Sequence, residues 1–404
     1  MDKVFKSFVK IIVIVLCLSL LSGCWSRREL NELLIVLGFG LDWENGEYLA
    51  SYQVVNPSEI TAQKRGGERP PTTLYQGRGK TMLDAARSLT AEAPRKVYMG
   101  HLQFYVISEE LARRGIAEFI DNALRDNEHR MDFKVVVARD MKAEDILKLY
   151  TPLEKLPTNS MLHSLETSER NWAPTISITL DEVLDRMSSE GIELALTGIK
   201  LIGTVEEAER KKNVETFQPS SRYRYKGIAI FRGDKLVGWL NEKESKGYTD
   251  ITDNLESTSV EIPCGPSAYT GVEINSSEAE IKTKVVNGKP EATVYIRSEG
   301  SVNERECDSI DLMKPSTIKL LEEQTAVIIR SNAEAAVRKA KSLRSDCLGF
   351  GIHFAKDHAP YWKEVKKNWN NEHFPSLKVQ YKIKMKIRKT GTTGNSTLNP
   401  NTGG

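Results

Sequence analysis

Hydrophobic and polar positions alternate most strictly near the C-terminal end of the chain. From Lys378 to Lys389, Val379, Tyr381, Ile383, Met385 and Ile387 fall on one side, and Lys378, Gln380, Lys382, Lys384, Lys386 and Arg388 on the other. A period of two predicts a strand with one buried and one wet face, which belongs in an antiparallel sheet. Between Ser257 and Gly300 short apolar runs (Val272 to Ile274, Ile281 to Val286, Thr293 to Ile296) are separated by turn signals such as Asn287-Gly288, the pattern of an antiparallel meander. Pro315 opens a helical pattern to about Leu343, with Ile318, Leu321, Ile328 and Ala335 on one stripe, the natural cover for that sheet.

The first half mixes the two periods. Leu33 to Leu41 and Tyr48 to Val55 predict a hairpin with Asn45-Gly46 at its tip, followed by a Gly- and Pro-rich excursion from Pro57 to Thr73. Thr81 and Asp84 read as the capped start of a helix carrying Leu83, Ala86 and Leu89. Val97 to Ile107 predicts a strand, Ser108 caps a helix that pauses near Gly115 and runs on to Leu124, and Asp132 to Ala138 predicts another strand. After Pro152 and Pro157, which mark a boundary, come a helix from about Thr179 to Ser188 and strands at Ile192 to Ile202, Tyr223 to Phe231 and Leu236 to Leu240. Gly233-Asp234 is a tight turn, and the charged stretch Glu206 to Glu215 is an exposed loop or short helix.

Ahead of all this, Lys3, Lys6 and Lys10 make the start basic, and an almost unbroken apolar run from Val9 to Leu21 closes on Ser22-Gly23-Cys24. This is the arrangement of a bacterial lipoprotein signal, cut between Gly23 and Cys24 with Cys24 then acylated. The run is too short to span a hydrocarbon core, which needs about 20 apolar residues. Two or more acyl chains on Cys24 would hold the protein stably at a membrane surface. The expected organisation is therefore a signal peptide (1–23), an N-terminal mixed domain (24–150), a smaller strand-rich domain (151–254), a C-terminal sheet with its long helix (255–390) and a polar tail (391–404). The fold class is α+β, with three mixed α/β units, the last an antiparallel sheet packed against a long helix.

Composition narrows the function. The 404 residues are 40% apolar and 28% charged, and of the net +2 the signal segment carries the whole, which argues against a nucleic-acid binder. Once Cys17 leaves with the signal and Cys24 takes lipid, Cys264, Cys307 and Cys347 remain, compatible either with one disulfide and a free thiol or with three reduced thiols. No CxxC or Cys/His metal spacing occurs, and His353 and His358 do not share a helix face. Gly79-Lys80-Thr81 lacks the glycine five residues earlier that a P-loop needs, since Leu74 stands there. No nucleophile elbow, metalloprotease motif, dinucleotide fingerprint or EF-hand loop is present, so nothing indicates an enzyme or a cofactor. The cationic side of the last strand suits either anionic head groups or an acidic partner, or else simply protects a sheet edge.

Several stretches together resemble one family. Cys24-Trp25-Ser26-Arg27-Arg28-Glu29-Leu30-Asn31-Glu32-Leu33 and Val36-Leu37-Gly38-Phe39-Gly40-Leu41-Asp42 are similar to the mature start of the Ger(x)C spore-germination lipoproteins. Val97-Tyr98-Met99-Gly100-His101, Ile107 to Ala112, Leu236-Val237-Gly238-Trp239-Leu240 and Leu348-Gly349-Phe350-Gly351 follow in order, then Trp362-Lys363, Trp369, Phe374 and the basic strand. Ser26 stands where members often have Asp. The resemblance implies the C subunit of a nutrient germinant receptor, lipid-anchored through Cys24 on the outer face of the spore inner membrane, beside integral membrane A and B subunits and without catalysis. Arg27 and Arg28, with Lys382, Lys384 and Lys386, are the candidate interaction surface; for the two arginines the plain alternative is a spacer above the lipid. A solute-binding lipoprotein of a transporter is the competing function, for which two doubly wound lobes and a cleft are expected.

Overall fold

The structure is a computed structural model that describes residues 5, 7, 8, 10, 32–57, 59, 69–125, 130–307 and 310–389. Nine strands form the larger sheet: β1 (Leu33–Glu44), β2 (Glu47–Val55), β3 (Thr72–Gly79), β4 (Lys96–Tyr98), β5 (Phe104–Ser108), β6 (Lys134–Ala138), β7 (Ala195–Ile202), β8 (Arg222–Arg232) and β9 (Lys235–Leu240). Their order is β3-β2-β1-β5-β6-β7-β8-β9, with the short β4 also on β1. Its centre, β1-β5-β6-β7, is parallel and both flanks are antiparallel hairpins. The sheet runs without a break across residue 150, because β6 pairs with β7 through Val137↔Gly198 and Ala138↔Ile199.

Parallel strands bury both faces, and the alternation along β5 shows how. Phe104 and Val106 pack with Ile146 and Leu147 of the helix Ala143–Leu147 and with Met161 and Leu165 of the helix Pro157–Asn171. Tyr105 and Ile107 face the other way, onto Leu111, Phe119 and Ile120 of the helices Glu109–Arg114 and Ala117–Arg125. The expected local signals are in place: Thr81 accepts from the Asp84 amide at 3.1 Å, and Ser108 accepts from the Leu111 amide. Gly115, at φ +136, breaks the helix after it. Asn45 and Gly46 sit at φ +52 and +85 at their hairpin tip, the left-handed pair that a two-residue turn requires.

Three local readings are corrected. The run Val97 to Ile107 is two strands: the chain turns between them, with the Leu102 amide donating to Met99 and the Gln103 amide to Leu37. Pro157 opens the helix Pro157–Asn171 as its first residue, where a missing amide costs nothing, so it starts an element as well as ending a loop. The third concerns the smaller sheet, β10 (Thr258–Pro263), β11 (Tyr269–Val286), β12 (Lys289–Arg305) and β13 (Lys378–Lys389) in that order. The first three are the expected meander, turned at Asn287-Gly288, but β13 runs parallel to β12 from Glu291↔Lys378 to Gly300↔Ile387. The helices between them carry the chain back over the sheet face, and a crossover of that length returns a strand in the same direction.

The covering helix, Pro315–Ser342, buries Leu321, Thr325, Ile329, Ala333, Ala336, Val337 and Ala340. It crosses a helix the sequence does not announce, Glu242–Ile251, whose Asn241 and Glu244 form a reciprocal capping box. Gly247 makes the crossing: a Cβ there would lie 2.0 Å from the Asn332 carbonyl oxygen. Cys264 and Cys307 form a disulfide beyond the open end of the β11–β12 hairpin, and Cys347 is buried and reduced. The bridge closes 43 residues. Replacing both cysteines by serine is expected to destabilise the smaller sheet by about 3 kcal/mol, read as a lower urea midpoint; an unchanged midpoint would contradict a structural role for the bridge.

Candidate interaction surface

β13 is an edge strand, and its two faces separate as its sequence alternates. Met385 is buried and Val379, Tyr381, Ile383 and Ile387 are half-buried toward the helix Pro315–Ser342, whereas Lys378, Gln380, Lys382, Lys384, Lys386 and Arg388 are exposed. The wet face is not uniformly cationic. Arg388 pairs with Glu299 across the strands, at 2.5 Å, and Lys284 pairs with Glu291 at 2.8 Å. Hydrogen bonds from these cations hold the Glu299 and Glu291 carboxyls below their ordinary value. Lys382 lies 5.2 Å from the Tyr295 ring centroid, a weak cation–π contact at an exposed site. Lys384 stands opposite Arg297, so like charges meet there, and Lys386 stands opposite Glu299, a carboxylate that Arg388 already engages, so two cations share one carboxylate. The centre of the row, Lys382 to Lys386, is therefore the part with charge left over for a partner.

The other residues of the candidate surface, Arg27 and Arg28, and the lipidation and cleavage positions Cys24 and Gly23, lie outside the described residues. Among the described residues no helix is long and apolar enough to cross a membrane, and no three His, Cys, Asp or Glu side chains gather as a metal site. His358 Nε2 donates to the Thr283 carbonyl and His353 is partly buried, both inside the smaller unit.

The motif residues fall at buried junctions between elements. Asp42, at the end of the Gly38 to Asp42 run, accepts from the Ala143 amide at 2.7 Å and the Glu144 amide at 3.1 Å, tying β1 to the helix Ala143–Leu147. Burial pushes its carboxyl up to about 6 against those two donors. Glu109 accepts from Trp239 Nε1 at 3.0 Å and from the Asp140 amide at 3.0 Å, joining β9 to the helix Glu109–Arg114. Burial raises that carboxyl, but the hydrogen bonds from Trp239, Asp140 and Arg113 outweigh it and hold it below its ordinary value. Arg139 covers the far side of the Trp239 ring, 4.7 Å from its centroid.

Asp346 is the largest such junction, and the sequence around it does not announce it. It precedes Leu348-Gly349-Phe350-Gly351 and accepts from the Phe350 amide (3.1 Å), the Gly351 amide (2.7 Å) and Trp369 Nε1 (2.7 Å) while fully buried. Its own amide donates to Asn370, and its carbonyl accepts from the Glu193 amide beside β7. The only sequence signal was a lone acid ahead of a glycine-containing helix start. These contacts assign Asp42, Trp239, Trp369 and the two glycine motifs to assembly of the fold, and leave the outward lysines as surface.

Similarity to known proteins agrees from end to end. Residues 26–201 match the family model described as spore germination protein N-terminal domain, and residues 226–391 match spore germination B3/GerAC like, C-terminal. The chain is 27% identical over 391 residues to spore germination protein KC of Bacillus subtilis (strain 168), covering 95% of this chain and 96% of that one. It is 23% identical to spore germination protein A3 of the same organism, over 96% of this chain and 99% of that one. The crystal structure of the GerBC protein superposes with a TM-score of 0.53 at 19% identity, covering 87% of this chain and 97% of that one, which establishes a shared multidomain α+β fold. With both models of one family matching in order and relatives matching along nearly their whole length, the chain belongs to the Ger(x)C family of spore germination proteins.

Proposed function

We propose that this chain is the C subunit of a nutrient germinant receptor. It is acylated at Cys24, held on the outer face of the spore inner membrane and assembled with integral membrane A and B subunits, and it contributes binding rather than bond chemistry. The observation that carries the reading is the likeness to spore germination protein KC over 95% of the chain. A solute-binding lipoprotein gains no support: in place of two doubly wound lobes there is one nine-stranded mixed sheet followed by a four-stranded one. Two acyl chains suffice for stable anchoring, so Cys24→Ala is expected to abolish palmitate labelling and to release the chain from the membrane fraction; retention there without label would overturn the anchor.

Lys382, Lys384 and Lys386 are assigned to contact with anionic head groups of that membrane. Each basic residue near such a surface contributes about 1 kcal/mol. In the Cys24→Ala background, exchanging all three for glutamate is expected to lower partition onto phosphatidylglycerol vesicles at least about tenfold with an unchanged melting profile, since all three side chains are exposed. Unchanged partition would reduce the row to protection of a sheet edge.

A further inference from the structure

The larger sheet bears a cavity whose lining includes Phe39, Val97 and Met99 of the motif stretches. It lies between β1, β2 and β5 on one side and the helices Met82–Ser88 and Ala117–Arg125 on the other, with a volume of about 380 Å³, within the range of small-molecule sites. Its floor is aromatic. Tyr105 packs against Phe39 (centroids 4.7 Å apart), Phe119 (4.2 Å) and Phe133 (5.7 Å), and all four rings line the cavity.

Two observations make this more than a packing fault. First, Tyr105 is 4% exposed, and its hydroxyl is buried with no hydrogen-bond partner among the described residues. A buried orphan hydroxyl costs about 1 to 3 kcal/mol, so a tyrosine where phenylalanine would pack equally well calls for an acceptor inside the cavity. Tyr48, by contrast, two strands away on β2, donates to Glu118. Second, Arg87 stands exposed on the lining, and among the described residues no carboxylate lines the cavity. The potential inside therefore favours an anion, and apolar walls strengthen that field relative to water.

We propose that this cavity binds a small organic carboxylate with an aromatic or branched aliphatic body. The body stacks on Phe39, Phe119 and Phe133, where offset aromatic contacts add to the burial of apolar area. A carboxylate oxygen accepts from the Tyr105 hydroxyl, and Arg87 at the rim supplies compensating charge. Burial pushes the Tyr105 phenol well above its ordinary value, so it stays a neutral donor across the physiological range. The site is independent of the receptor reading, because it rests only on the larger sheet and two helices.

The test is ligand-observed NMR of phenylacetate with the full chain in lipid nanodiscs, against empty nanodiscs, with phenethylamine as the cationic isostere. Saturable binding of phenylacetate with a Kd at or below about 1 mM is expected, with phenethylamine at least about tenfold weaker. Tyr105→Phe removes a hydrogen bond to a charged group and is expected to weaken phenylacetate about tenfold while leaving the fold intact. Ala86→Phe, at a half-buried lining position on the helix surface, is expected to abolish binding by filling the space. Where Tyr105→Phe disturbs folding, Arg87→Ala, at an exposed lining position, serves instead, with the same tenfold loss expected. No saturable binding, equal binding of the amine, or binding indifferent to these substitutions would overturn the proposal, the cavity then being filled by water or by the chain itself.

Discussion

Asp346→Ala is expected to lower the unfolding free energy by about 4 kcal/mol, among the largest effects open to a single substitution in this chain. The methyl group cannot accept the three hydrogen bonds that the carboxylate takes from Phe350, Gly351 and Trp369 Nε1. Each donor is left buried, at about 1 to 3 kcal/mol apiece, with part of that regained if the helix Phe350–Asp357 frays toward water. The damage reaches further than the helix start. Trp369 is 2% exposed and packs against Trp362, Phe354 and Phe374, so freeing its indole nitrogen loosens the aromatic cluster through which the crossover to β13 is made. Asp346→Asn keeps an acceptor for at least one donor and is expected to fall between wild type and alanine. Urea unfolding followed by tryptophan fluorescence measures both; a loss below about 1 kcal/mol for alanine would show that the junction is not held by the carboxylate.

The second large effect is on pH dependence. Asp250, on the helix Glu242–Ile251, is 3% exposed, and its Oδ1 has no hydrogen-bond partner among the described residues. Burial pushes its carboxyl up to about 8, with Lys246 on the same helix pulling the other way. The folded state therefore holds a proton that the unfolded state releases near 4. Between those two values the native chain binds more protons than the unfolded one, so stability is full below about pH 4, falls as pH rises and levels off near pH 8. At 1.36 kcal/mol for each pKa unit, the loss has a ceiling of about 6 kcal/mol. Asp346, raised to about 7, adds in the same direction, which is why the comparison must isolate one residue. Asp250→Asn cannot ionise, so it is expected to match wild type near pH 4 and to unfold at a higher urea concentration near pH 8.5. Parallel pH profiles for the two proteins would mean that Asp250 is ionised in the native state.

Elements written by local chemistry were legible in the sequence. The Asn-Gly turns at 45–46 and 287–288, the Thr81 and Ser108 caps, the helix opened by Pro315 and the alternation of β13 all follow from rules that act within a few residues. What was not legible depends on contacts distant along the chain. Alternation in β13 says which face is wet and nothing about direction, so a parallel strand looks like an antiparallel one. The helix Pro157–Asn171 buries little apart from Met161 and Leu165, leaving a weak helical stripe in a Ser- and Thr-rich stretch after two prolines. The helix Glu242–Ile251 contains Gly247 and Thr249, poor helix formers, because a close helix crossing requires the glycine. Val97 to Ile107 looked continuous although Gly100 and His101 marked the turn inside it. The candidate surface divides in the same way: the lysines of β13 were readable as an exposed row, whereas the pairing of Arg388 with Glu299 and of Lys378 with Glu291 depends on which strands lie alongside. Tyr105 carried no signal at all, since a tyrosine in an apolar strand differs from phenylalanine only by a hydroxyl whose surroundings are set by three other elements.

The central claim is that this member of the Ger(x)C family works as one subunit of a membrane receptor, and its most direct test is recovery of the assembly. Membranes from sporulating cells are solubilised in mild detergent, the tagged chain is captured, and its companions are identified by mass spectrometry. The account predicts two different multi-span polypeptides, both lost when Cys24→Ala prevents anchoring. Recovery of a transporter permease, or of the chain alone from intact membranes, would contradict it.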